Sequence, residues 1–211
     1  MGFYGNRVAP RIINLTCCHS ATAPLRQRVC ADLSGDVIEI GFGSGLNIPF
    51  YPASVTSIAA VEPSDLGWEL ATERLGTALV PIERSALDGQ RLPFADNTFD
   101  AALSTWTLCS IPDAAAALLE IHRVLRPGAV FHFAEHGLAP DERVRRRQYR
   151  LEFLHRTLFG GCHLTRPISD LIVAAGFTLT EIDVFYEEAA AQYAAAMSLG
   201  TAVKTFPAVT S

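Results

Sequence analysis

VIEIGFGSG, from Val37 to Gly45, joins a short apolar run to a carboxylate and three alternating glycines. Val37, Ile38 and Ile40 suit a buried strand of a parallel sheet, where both faces are covered. Gly41, Gly43 and Gly45 let the backbone turn sharply and come close to a ligand or a neighbouring element. A turn that holds a pyrophosphate usually reads G-x-G-x-x-G and feeds a helix N-terminus. This one reads E-x-G-x-G-x-G. Glu39 would repel a pyrophosphate and attract a cationic group. Nucleotide-type binding is therefore favoured over a bare tight turn, and a nicotinamide-dependent oxidoreductase is disfavoured.

The next strand is expected over Ser57 to Val61 (SIAAV), ending at Glu62, 21 residues beyond Gly41. An acidic residue about 20 positions after such a turn hydrogen-bonds ribose hydroxyls in nucleotide-binding sheets. Alone, Glu62 reads better as a solvated strand end; paired with the glycine turn at that interval, the ribose reading prevails. Further strands are expected near 79–83, 99–104 and 128–134. Helices are expected near 46–50, 64–75 and 113–125, the last two N-capped by Ser64 and Asp113. Strands alternating with helices imply a parallel sheet with right-handed crossovers. After the fifth strand, helices are expected over 141–159 and 167–175, then strands over 177–184 and 197–204. The fold class is α/β. One domain is expected, with residues 1–34 as a mostly helical N-terminal cap carrying Pro24 near a helix start. Residues 35–136 form the core, and 137–211 a substrate-side insertion and the last strands.

The 211 residues, 49% hydrophobic and 18% charged, suit one globular domain. A net charge of −5 argues against a nucleic-acid partner, because phosphate neutralisation needs a basic face. No run of about 18 apolar residues is present, so no membrane span is expected. The opening MGFYGNRVAPRIIN lacks a signal-peptide pattern. Five cysteines (Cys17, Cys18, Cys30, Cys109 and Cys162) are an odd number, better suited to a reducing cytoplasm than to a disulfide framework. Cys17, Cys18 and His19, like Cys162 and His163, lack a C-x-x-C partner, so no metal is expected. The closely spaced cysteine triplet of an iron–sulfur cluster is absent too.

Three further segments carry a family resemblance: LDGQRLPFADNTFD (Leu87–Asp100), ALSTWTLCSIPD (Ala102–Asp113) and LLEIHRVLRPGAVFHFAEH (Leu118–His136). In this order, with the glycine turn, the sequence over residues 36–136 resembles the class I S-adenosylmethionine (SAM) dependent methyltransferases. The likeness is greatest to the small single-domain branch that includes quinone-biosynthesis enzymes. Downstream, Glu135 and His136, LCS at Leu108–Ser110 and GGCHLTR at Gly160–Arg166 are similar to the alkyl thiol methyltransferases of animals. The hydrophobic anchor that opens those animal proteins is not expected here.

The resemblance implies a doubly wound, Rossmann-like sheet of seven strands in order 3-2-1-4-5-7-6, strand 7 antiparallel, with SAM as cofactor. It implies that Glu39 and the backbone at Gly41, Gly43 and Gly45 meet the donor's amino-acid tail. Glu62 then accepts from the ribose hydroxyls, Pro63 walls the adenine, and Asp88 accepts the adenine amine beside Gly89 and Gln90. Ser104, Thr105, Trp106 and Leu108 fall at the methionine end. Bland alternatives stand beside these. Glu39 also reads as a water-bridged strand residue, Asp88 with Gly89 as a turn pair, and Trp106 as a core side chain.

His136 is the leading candidate for a general base, its alternative being a cap on the strand end. Tyr4, Trp106, His155 and His163 are candidate substrate contacts. Arg143, Arg145, Arg146, Arg147 and Arg150 crowd one helix; a solvated helix is favoured over a peripheral membrane contact. The STWT stretch lacks the Asn/Asp-Pro-Pro-Tyr element of amide and exocyclic-amine methylators. The expected acceptor is thus a small molecule, ranked thiol, then phenol or quinol, then lipid amine. A thiol with pKa near 8.5 needs modest help to ionise, whereas a phenol needs a base. The protein is expected to be a monomer or homodimer. The contrasting reading is a protein that binds SAM or its demethylated product in a regulatory or scaffolding role, without catalysis.

Overall fold

The computed structural model describes residues 22–188 and 190–205. In chain order the elements are α1 (Ala23–Cys30), β1 (Gly35–Ile40), a single 3-10 turn (Ile48–Phe50), β2 (Val55–Val61), α2 (Asp65–Leu70), α3 (Thr72–Leu75), β3 (Ile82–Ala86), β4 (Phe99–Thr105), α4 (Ala114–Val124), β5 (Leu125–His136), α5 (Glu142–Leu158), α6 (Ile168–Ala174), β6 (Phe177–Tyr186) and β7 (Ala196–Lys204). The strands form one sheet in the order β3-β2-β1-β4-β5-β7-β6. Strands β1 to β5 run parallel to one another, and β7 is antiparallel to both β5 and β6. That is the expected topology.

Alternate residues of the central strands enter opposite cores. Ile38 and Ile40 of β1 with Phe131 and Phe133 of β5 pack against Leu118 and Ile121 of α4 and Ile172 of α6. Val37, Leu103 and Ala134 face the other way, onto Val29 and Cys30 of α1. With helices on both faces, the strands need apolar residues at consecutive positions, which is why β1 reads as a run. Each fully buried Leu, Ile or Phe contributes about 1.5–3 kcal/mol relative to exposure.

The two expected N-caps form. Ser64 Oγ accepts from Gly67 N–H at 3.0 Å, and Asp113 Oδ1 from Ala116 N–H at 2.9 Å. Three local expectations need correction. The strand expected at 79–83 starts at Ile82, and Leu79 is fully exposed. Pro81 has no N–H to give an edge-strand ladder, so pairing with β2 begins after it. The helix expected at 64–75 breaks at Ala71 into two short pieces. The helix expected at 46–50 is the 3-10 turn, with Pro49 inside it. In the N-terminal cap, the described part holds α1 with Pro24 in its first turn.

Candidate active site

Because β1, β2, β3, β4 and β5 are parallel, their C-terminal ends share one edge of the sheet, where ligands bind in such folds. Glu39 and Glu62, the loop after β3, the segment from Ser104 to Trp106, and Glu135 with His136 all fall there. The glycine turn links β1 to this edge. Gly41, Gly43 and Gly45 have φ of +74°, +58° and +73°, a left-handed conformation that side chains strain. A Cβ on Gly41 would lie 2.0 Å from Thr107 Oγ1, and one on Gly45 2.8 Å from Ile48 Cδ1. At Gly43 a Cβ would meet nothing nearer than 3.9 Å, so the peptide there borders open space. The turn is thus clamped at both ends and open in the middle, as a cradle for a ligand must be.

Glu39 is 1% exposed. Its Oε1 accepts from Asn47 Nδ2 at 2.9 Å, and its Oε2 from the Tyr51 hydroxyl in a very short bond. Asn47 in turn bonds Thr105 Oγ1 at 3.0 Å and accepts from Arg26 Nη1 at 2.7 Å. Burial lifts the Glu39 carboxyl from 4.5 to about 7, even though the Tyr51 and Asn47 bonds and the Arg26 charge pull it down. A buried carboxyl held near neutrality beside an open cradle is suited to receiving an ammonium group.

Glu62 follows β2 directly. Its Oε2 accepts from Gly43 N–H and its Oε1 from Ser64 N–H, both at 2.7 Å. Burial raises its pKa against these two backbone bonds. Each carboxylate oxygen keeps a second lone pair for a ligand hydroxyl. Asp88 is exposed, and its Oδ1 accepts from Gln90 backbone N–H at 2.9 Å and from Gln90 Nε2 at 3.0 Å. Those bonds hold its carboxyl below the ordinary range. The Asp88 turn therefore forms, and it presses Gly89 onto Ile40, where a Cβ would approach to 3.0 Å. Pro63 is exposed beside Glu62.

Trp106 lies at φ +49°, a conformation costing a non-glycine residue about 1–3 kcal/mol. Ala134 O accepts its N–H at 2.8 Å, the Arg26 guanidinium sits 4.6 Å over its ring, and the His136 ring meets it edge-on at 6.5 Å. Glu135, fully buried, holds this loop from below. It accepts from Ser104 Oγ at 2.7 Å, Thr107 N–H at 3.0 Å and Cys109 N–H at 3.2 Å. Burial raises its pKa against those bonds. Backbone strain held this firmly at a sheet edge is a mark of a functional loop.

Residues 38–133 match the family model for the methyltransferase domain. Over that stretch the chain is similar to methyltransferase domains. The thiol S-methyltransferase TMT1B of Mus musculus is 31% identical over 156 residues, covering 71% of this chain and 64% of that protein. A demethylmenaquinone methyltransferase of Corynebacterium kroppenstedtii is 36% identical over 103 residues, covering 49% of this chain and 42% of that protein. The chain thus spans less than two thirds of these relatives. Among solved structures, a SAM-dependent methyltransferase from Mesorhizobium loti superposes with a TM-score of 0.64 at 17% identity, over 88% of this chain and 99% of that one.

Within the matched stretch, the cradle, Glu39, Glu62, Gly89, Ser104, Thr105 and Trp106 come together at the sheet edge. Leu108 stands apart, fully buried in the core beside α4. His155 stacks on Phe159 at 4.4 Å, and burial drives its pKa to about 4. His163 is tied through Nδ1 to Glu152 Oε1 at 2.8 Å. Tyr4, Cys17, Cys18 and His19 lie outside the described residues.

Arg26, Asn47 and Tyr51 were not expected at this edge. Their link to Glu39 spans loops and α1, and no sequence pattern announces it. The arginine-rich α5 forms, and it leaves Tyr149, Phe153 and Leu154 exposed among its charges. No helix among the described residues is long and apolar enough to cross a membrane.

Proposed function

We propose that this protein transfers the methyl group of S-adenosylmethionine to a small-molecule thiol. The observation that carries the donor half is the pair of buried carboxylates, Glu39 and Glu62, on either side of the open peptide at Gly43. Glu39 binds the ammonium of the amino-acid tail, and Glu62 the ribose hydroxyls. Gln90 and Pro63 border the adenine, with Asp88 at its amine. Once bound, the donor supplies an electrophilic methyl on a sulfonium, and the chain's task is to line up the acceptor behind it. Such positioning lowers the barrier by about 7–11 kcal/mol.

Thiol acceptors are supported by the activity named for the mouse relative and by the likeness at Glu135, His136 and Gly160–Arg166. Trp106 walls the methionine end, and partly exposed His136 beside it is the candidate group to receive the acceptor's proton. His155 and His163 serve to pack the insertion that covers the acceptor side. A phenol or quinol ranks second, supported by the demethylmenaquinone methyltransferase match. The buried, reduced Cys30, Cys109 and Cys162 suit a cytoplasmic setting.

The test is incubation with methyl-labelled donor and a panel of thiols, phenols and amines. Thiols should label best. Labelling confined to amines would overturn the ranking, and donor binding without label on any acceptor would favour a regulatory SAM-binding protein.

A further inference from the structure

The loop after β4, the end of β5 and the segment after α5 meet beside Trp106. Each brings one metal-binding side chain: Cys109, His136 and Cys162. Their ligand atoms all lie within 4.8 Å of one another, with His136 Nδ1 3.9 Å from Cys162 Sγ. Tetrahedral zinc bonds of about 2.0–2.3 Å place such atoms about 3.5–3.8 Å apart, so a small contraction closes the set. The three are held by other bonds. His163 N–H donates to Cys109 O at 2.8 Å, which lays the Gly160–Arg166 segment against the β4 loop. Arg166 clasps Leu108 O and reaches Pro112 O at 3.1 Å. Glu135 fixes Cys109 by its N–H. Cys109 and Cys162 are buried, whereas His136 is partly exposed toward Trp106.

We infer that Cys109, His136 and Cys162 form a binding site for a thiophilic divalent cation, zinc by its donor set, with its fourth position open to the acceptor's thiolate. Two sulfurs and one imidazole are a soft donor set that selects zinc over magnesium or calcium. Three protein ligands with a free fourth position is the arrangement of catalytic zinc, not of closed structural sites. A metal there changes how the thiol is activated. The acceptor R–SH gives its proton to solvent as its sulfur displaces a bound water. That sulfur then bonds to the donor's methyl carbon, the old C–S electron pair stays with the donor's sulfur, and neutral thioether leaves the cation. His136 is then a ligand and not a base. This catalytic half rests on the thiol reading proposed above; the site does not.

The experiment uses the whole chain, stripped with chelator and titrated with cobalt(II) and with zinc. About one equivalent should bind, with a thiolate-to-cobalt charge-transfer band in the near ultraviolet. Cys109→Ser and Cys162→Ser should lose both, while calorimetry shows that Cys162→Ser still binds S-adenosylhomocysteine and is therefore folded. No cobalt band in the wild-type chain, equal uptake by Cys162→Ser, or a Cys109–Cys162 disulfide would each overturn the site.

A free thiol is about 3% ionised at pH 7, so zinc-restored protein should methylate it up to about 30-fold faster than stripped protein. That gap should narrow toward pH 9. Equal rates would overturn the acceptor role. Stoichiometric metal in a protein that labels no thiol would refute the proposed function and uphold the site.

Discussion

Glu39→Gln should uncouple donor binding from pH. In the free protein, burial places the Glu39 carboxyl at about 7. The groups facing it are Tyr51, Asn47, the Arg26 guanidinium, Glu62 and the Cys30 thiol. A ligand ammonium entering this cluster favours the charged carboxylate and returns its pKa toward the ordinary 4.5. Binding therefore expels a proton: about 0.9 per chain at pH 6, 0.5 at pH 7 and 0.1 at pH 8. The apparent Kd correspondingly rises about tenfold from pH 8 down to pH 6. Calorimetry with S-adenosylhomocysteine, which keeps the amino-acid tail, in buffers of different ionisation enthalpy reads this release directly. In Glu39→Gln the release should vanish and binding at pH 8 should weaken about 10–150-fold, the worth of a charge-assisted hydrogen bond. A wild-type enthalpy that is the same in every buffer would refute the assignment. Proton release that survives in Glu39→Gln would do so too. The sign for stability runs the other way. A carboxyl with a raised folded pKa stabilises fully below 4.5, and about 3 kcal/mol is lost as pH climbs through 7 in the absence of donor.

Gly41→Ala meets both a φ of +74° and a Cβ 2.0 Å from Thr107 Oγ1; denaturant unfolding should show a loss of about 2–4 kcal/mol with donor binding impaired. Glu62→Gln keeps the shape but loses the charge, and calorimetry should give about 10–150-fold weaker product binding; an unchanged Kd would reject the ribose assignment. Glu135→Ala strands the amides of Thr107 and Cys109, and thermal unfolding should reveal a cost of about 3–5 kcal/mol.

Much of the candidate donor site was legible in the chain, because parallel strands put their C-terminal ends on one edge whatever the loops do. A buried run carrying Glu39 next to its end, a glycine turn, and Glu62 at the nucleotide-fold interval are local patterns whose meaning follows from that rule. Edge elements were less legible. Val80 and Leu79 look like strand residues, yet the ladder starts only beyond Pro81, since an edge strand buries little and its pattern is weak.

Local spacing alone dictated the glycine cradle and the carboxylates at the strand ends, through short apolar runs and backbone conformations that glycine alone tolerates, while the strand order followed from the family resemblance. The meeting of Cys109, His136 and Cys162 had no such signature, because 27 and 26 residues separate them and no C-x-x-C marks the set. Neither did the chain from Arg26 through Asn47 to Glu39. Contacts between distant segments depend on how loops and α1 dock onto the finished sheet, and a linear pattern carries no record of that docking.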